Sequence, residues 1–131
     1  MSALPTLKLA LLVALGGAFG SVARWSLSGW ITQLAPAAKF PSGIFAANII
    51  GCFVAGLLAG LVERHALFAA ETRLFLFTGV LGGFTTFSAF GLETMQMLRR
   101  GEWLLASGYA AGSVIVGIAA AWIGLKLVLA R

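Results

Sequence analysis

The 131-residue sequence predicts an all-α integral membrane protein of four spanning helices, the third of them broken. Three observations predict it. The composition is 60% hydrophobic and only 10% charged, whereas soluble domains carry about a quarter charged residues. Four stretches are long and apolar enough for a bilayer core, which takes about 20 helical residues. The third contains GVLGGFTTFSAF, Gly79 to Phe90, with three glycines, two threonines and a serine where a spanning helix should be most regular. Irregular backbone at that depth has no water to bond, and it is tolerated only against protein or beside a water-filled cavity.

The first span, roughly 9–31, follows Lys8. Ser21-Val22-Ala23 resembles the small-x-small site of a signal peptide, but the apolar pattern continues through WSLSGWI, so a retained helix is expected. AAKFPSG, with its proline and glycine, ends that span and leads to the second, 43–62. The polar-ended ERHALFAAETR leads to the third, 74–98, and the charged turn RRGEW to the fourth, 103–125. All four form one domain over 1–131. Gly16 and Gly20 in span one, Gly51, Ala55 and Ala59 in span two, and Gly108, Gly112 and Gly117 in span four provide small residues for close helix contact. Such contact drives association in lipid, where apolar side chains gain little by leaving their surroundings. Trp25, Trp30, Trp103 and Trp122 lie toward segment ends, as interfacial aromatics do.

With four spans, both termini share a side with the loop between spans two and three. That side carries Lys8, Arg64, Arg73, Lys126 and Arg131, five cations; the other carries Arg24, Lys39, Arg99 and Arg100, four. Orientation follows the Lys/Arg bias of short loops, so a difference of one predicts insertion both ways up and permits an antiparallel homodimer. Four helices leave little room for an internal pathway, which points to one formed between subunits.

Several function classes are excluded. The net charge of +5 is scattered, without an aromatic-interleaved basic patch, so nucleic acid is not an expected partner. Cys52 is single, and His65 has no second soft ligand nearby for a zinc-type site. No nucleophile-base pair, carboxylate pair or phosphate-cradling loop points to an enzyme.

Few polar groups lie inside the spans: Arg24, Asn48, Thr85, Thr86, Ser88, Glu93, Tyr109 and Ser113. Such residues mark pathways by default, although hydroxyls also bond back to their own helix and Arg24 can snorkel. Asn48 has no polar neighbour in IFAANIIGCF, and its amide donates to an anion without a formal charge to trap it. Phe84 and Phe87 offer positive ring edges to a cavity, or serve as ordinary core among ten phenylalanines. A dual-topology, proton-coupled small-molecule exporter is the alternative function; it calls for a carboxylate in span one, which has none.

GGAFGSVARW, GIFAANIIGCFVAG and GVLGGFTTFSAF, in that order on four spans, resemble the small dual-topology fluoride channels of the Fluc or CrcB family over nearly the whole chain. The resemblance implies an antiparallel homodimer in a prokaryotic inner membrane, with two pores that passively export cytoplasmic fluoride. It implies that Asn48, Phe84 and Phe87 contact fluoride, that Thr85, Thr86 and Ser88 form the hydroxyl part of the motif, and that Tyr109 and Ser113 line the pore from span four. Gly79 and Gly82 would occupy the break, their carbonyls holding a structural sodium ion with their twofold mates. Glu93 and Arg24 would match a vestibule glutamate and the first-span arginine. Where the family often reads FSTF, this chain has Ala89, so no hydroxyl acts there.

Overall fold

The structure, a computed structural model, describes residues 3–130. Arg131, counted above among the end charges, lies outside them. Helix α1 runs Ala3–Leu34 and α2 Ser42–His65. The third span begins as α3 (Ala70–Arg73), continues through a π-helical stretch (Leu74–Leu81) into α4 (Gly82–Phe84), and resumes as α5 (Phe87–Arg99); α6 is Trp103–Leu129. All four spans are long and apolar enough to cross a membrane. Each helical span outruns its expected limits, because the helical hydrogen-bond ladder continues through Lys8, Gln33, Arg64 and Lys126 beyond the apolar run.

The bundle is built from two pairs. The largest contact is α2 on α6, and the second pairs α1 with the π-helical stretch and α4. In both, glycines bring backbone against backbone. A methyl at Gly56 would overlap the Ala121 carbonyl, and one at Gly79 would stand 3.0 Å from the Gly16 Cα. These close approaches supply the van der Waals contact that holds helices together in lipid.

Polar contacts tie the ends as four antiparallel spans require. At one end Lys8 Nζ meets both Glu71 carboxylate oxygens at 2.9 and 2.8 Å, and Arg64 Nη1 donates to the Val128 carbonyl at 2.6 Å. At the other, Arg100 pairs with Glu102 at 3.3 Å, and Lys39 stands 3.9 Å from the same carboxylate.

The break does not fall on the expected glycines. Gly79 lies within the π-helical stretch and Gly82 has helical backbone angles; the extended residues are Thr85 (φ −87°, ψ 155°) and Thr86 (φ −151°, ψ 121°). Gly79 serves close packing against Gly16 and Gly82 lies on the surface, while the threonines carry the interruption. Before the break the span packs on α1; after it, α5 packs on α6.

Candidate functional site

An interrupted helix leaves carbonyls without amides at one edge and amides without carbonyls at the other. Thr85 closes the first edge. Its N–H and its Oγ1 both donate to the Leu81 carbonyl, at 2.9 and 2.8 Å. Thr86 turns to α2: its N–H donates to Asn48 Oδ1 at 2.8 Å, and Asn48 Nδ2 donates back to its carbonyl at 3.0 Å. One side-chain amide thus satisfies both backbone groups of an extended residue, as a neighbouring strand would. Thr86 Oγ1 then caps α5, accepting from the Ala89 N–H at 3.2 Å and lying 3.3 Å from Ser88 Oγ. From α1, Arg24 Nε donates to the Gly83 carbonyl at 3.1 Å.

Beside this junction lies an open-sided groove of about 380 Å³, walled by Asn48, Gly51, Cys52 and Ala55 of α2, by Leu81, Thr85, Thr86, Phe87 and Phe90 of the third span, and by Ser113 and Val114 of α6. Its walls are mostly apolar, so its few free donors decide what it can hold. The Thr85 proton is committed to Leu81. Asn48 has one N–H beyond the one it gives Thr86, and that second N–H has no partner among the described residues. Ser113 Oγ is buried without a hydrogen-bond partner, and Phe87 is 83% exposed on the open side. No lining residue is charged.

One end of the groove meets an aromatic cluster. Tyr109 is fully buried, with ring centroids of Phe40, Phe90 and Phe45 at 5.4, 5.2 and 6.4 Å, and its hydroxyl donates to Glu93 Oε2 at 2.8 Å. Tyr109 also lines a second cavity of about 560 Å³ that includes Lys39 and Glu102. Tyr109 therefore stands between the groove and a charged mouth at the end of the bundle.

Comparison with known proteins places this geometry. Residues 11–125 match the family model described as "CrcB-like protein, Camphor Resistance (CrcB)". The chain belongs to the CrcB family. Among its relatives, a protein of Methylobacillus flagellatus named "Fluoride-specific ion channel FluC" is 49% identical over 118 residues, 90% of this chain and 92% of that one. Proteins of the same name from Rhizobium etli and Agrobacterium fabrum are 48% and 49% identical, covering 90% and 88% of this chain and 94% and 92% of their own. With four membrane-competent helices and bacterial relatives, this CrcB chain is a multi-pass integral membrane protein.

Within the CrcB chain the structure gathers Asn48, Thr85, Thr86, Phe87 and Ser113 on one groove. It separates Phe84 from Phe87. The break intervenes, so they do not share a helical face; Phe84 packs against Gly51 of α2, where an added Cβ would stand 3.3 Å from its ring, and it is not among the groove residues. Ser88 reaches the site only through Thr86. Arg24, counted above with the end charges, is tied instead to the interrupted span. Sequence reasoning missed the partners of Tyr109 and the place of Cys52 in the groove. Cys52 follows Asn48 by four residues, a helical spacing that signals a shared face.

The carbonyls also test the expected sodium ligands. The Gly79 carbonyl accepts the Gly82 N–H within the helical ladder, so it is not freed by the break. Among the described residues, the Gly82 and Thr85 carbonyls accept no backbone hydrogen bond across the break. Uncommitted carbonyls of an unwound helix suit a hard cation. The Gly82 and Thr85 carbonyls are therefore open to such an ion, whereas the Gly79 carbonyl is engaged.

Proposed function

We propose that this chain is a fluoride channel that passively exports cytoplasmic fluoride across the inner membrane, along pathways formed between two copies packed antiparallel. The observation that carries the reading is the groove: apolar walls, no fixed charge, and free donors on Asn48 and Ser113. Fluoride is small, strongly hydrated and a strong hydrogen-bond acceptor. A narrow path with amide and hydroxyl donors replaces its water without the charge that would hold it, and conduction needs both entry and release.

The free protons of the expected pore residues support an order among them. Asn48 offers its second N–H, Ser113 its hydroxyl, and Thr86 with Ser88 one proton between them. Thr85 acts through shape, its own proton being held by Leu81. Phe87 presents its ring on the open side, where a ring edge is the positive part of the aromatic quadrupole. A second copy would complete the wall and bring its own Phe84 or Phe87 to the path. Tyr109 and Glu93 form the polar step from groove to mouth.

A structural sodium ion on the dimer axis would be held by the Gly82 and Thr85 carbonyls of both copies. Bound there, it supplies a fixed positive potential beside the break.

The deciding experiment is fluoride efflux from liposomes holding purified protein, with the potential clamped by an ionophore and chloride as the control anion. The expected result is fluoride efflux without a proton gradient and negligible chloride efflux. Efflux that requires a proton gradient would favour the exporter, and none at all would overturn the channel reading.

A further inference from the structure

We infer that Arg24 acts in this channel chiefly through its Nε–H, as the cap of the Gly83 carbonyl that fixes where the third span is interrupted, and only secondarily through its charge. The inference rests on the channel reading for its functional readout, but its geometry stands apart from it.

The break orphans the carbonyl of Gly83, whose amide partner four residues on would be Phe87, now the first residue of α5. Arg24 Nε donates to that carbonyl at 3.1 Å. The sequence prepares the contact: Gly16, Gly20 and Arg24 recur every fourth residue on one face of α1. A Cβ at Gly20 would overlap the Val80 carbonyl and approach the Phe84 nitrogen to 2.8 Å, and a Cβ at Gly83 would overlap the Gly17 carbonyl. The glycines draw α1 onto the span so closely that the arginine stem lies along it one turn later. Arg24 from one side and Asn48 from the other then hold Gly83, just before the extended pair, and Thr86, its second member.

Substitution separates donor from charge, because glutamine carries its amide nitrogen the same number of bonds from Cα as the Nε of arginine. Arg24→Gln keeps a donor at that atom and removes the charge. Arg24→Met puts a methyl there and removes both. The cation also sits favourably at the carbonyl end of a helix, so glutamine should carry fluoride efflux within about threefold of the parent. Methionine leaves a part-buried carbonyl unbonded and should lower efflux about tenfold or more.

A second readout is independent of transport. Deuterium uptake in a peptide spanning residues 82–90 of the intact purified protein should rise in Arg24→Met and stay near the parent in Arg24→Gln. Efflux and exchange near the parent in Arg24→Met would overturn the inference. So would loss of efflux in Arg24→Gln equal to that in Arg24→Met, which would assign the role to charge. If the parent protein carries no fluoride, the channel reading fails and the exchange comparison still decides the cap.

Discussion

Asn48→Asp is the sharpest perturbation available, because it changes one NH₂ to one oxygen in a side chain of the same shape. The retained oxygen continues to accept the Thr86 N–H, now at 2.8 Å. The exchanged atom faces the Thr86 carbonyl at 3.0 Å, where a donated hydrogen bond becomes two opposed acceptors. The Thr86 carbonyl keeps its place as the N-cap acceptor of α5, but exchanging the Asn48 hydrogen bond for two opposed oxygens costs about 1–3 kcal/mol.

The electrostatic effect is larger. A carboxylate and an anion about 4 Å apart, at an effective dielectric constant of roughly 20, repel by ~4 kcal/mol, a factor of about a thousand in occupancy. No cation lines the groove to offset it. Fluoride efflux from liposomes should therefore fall at least about a hundredfold, while the protein elutes from a sizing column at the volume of the parent. Efflux within tenfold of the parent, on the order of 1.4 kcal/mol, would refute the placement of Asn48 on the anion path.

Four further changes test other parts of the site and the packing that supports it. Phe87→Ala removes a side chain that touches little of its own chain, so thermal stability should hold while efflux falls about tenfold or more; Phe84→Ile, which keeps bulk and loses the ring edge, should lower efflux as well, and unchanged efflux in either removes that ring from the path. Ser113→Ala deletes the buried, unpartnered hydroxyl, which should leave thermal stability equal or higher and reduce efflux severalfold; a fall in stability would mean the hydroxyl has a structural partner instead. Gly56→Ala sets a methyl against the Ala121 carbonyl and should cost about 1–3 kcal/mol of stability, read as an earlier loss of the folded peak on a sizing column after heating.

The spans were legible because length and hydropathy are properties of the residues themselves. Which ends share a side was legible from the number of spans, and Lys8 with Glu71 and Lys39 with Glu102 meet as that ordering requires. The position of the break was less so. Glycine reads locally as a helix breaker, yet Gly79 and Gly82 remain helical because their missing side chains are used against α1 or left on the surface. Thr85 and Thr86 are extended because Asn48, 38 residues earlier, supplies the hydrogen bonds that a helix would have made. No local pattern encodes a partner at that distance. The same holds for Arg24 and Gly83, 59 apart, and for Tyr109 and Glu93, whose pairing depends on α5 leaving α1 for α6.

That change of partner links the polar groups to the need for a second copy. If the third span were unbroken, its second half would continue along α1, and Ser113 on α6 would not face Asn48 and Thr86 across a groove. Turning at the threonines builds three walls and leaves the fourth open, with Phe87 standing at its edge. It also leaves the Gly82 and Thr85 carbonyls uncommitted, and Gly82 is exposed. In hydrocarbon an unbonded carbonyl is strongly unfavourable, so such a surface is stable only when covered by protein or an ion. An inverted copy would cover it with the same surface, offering its own uncommitted carbonyls across the axis and its own walls to the groove. In the proposed antiparallel assembly, a near balance of end charges would permit insertion in both orientations and so let a single sequence supply that copy. The broken helix and the weak charge bias are thus two parts of one requirement.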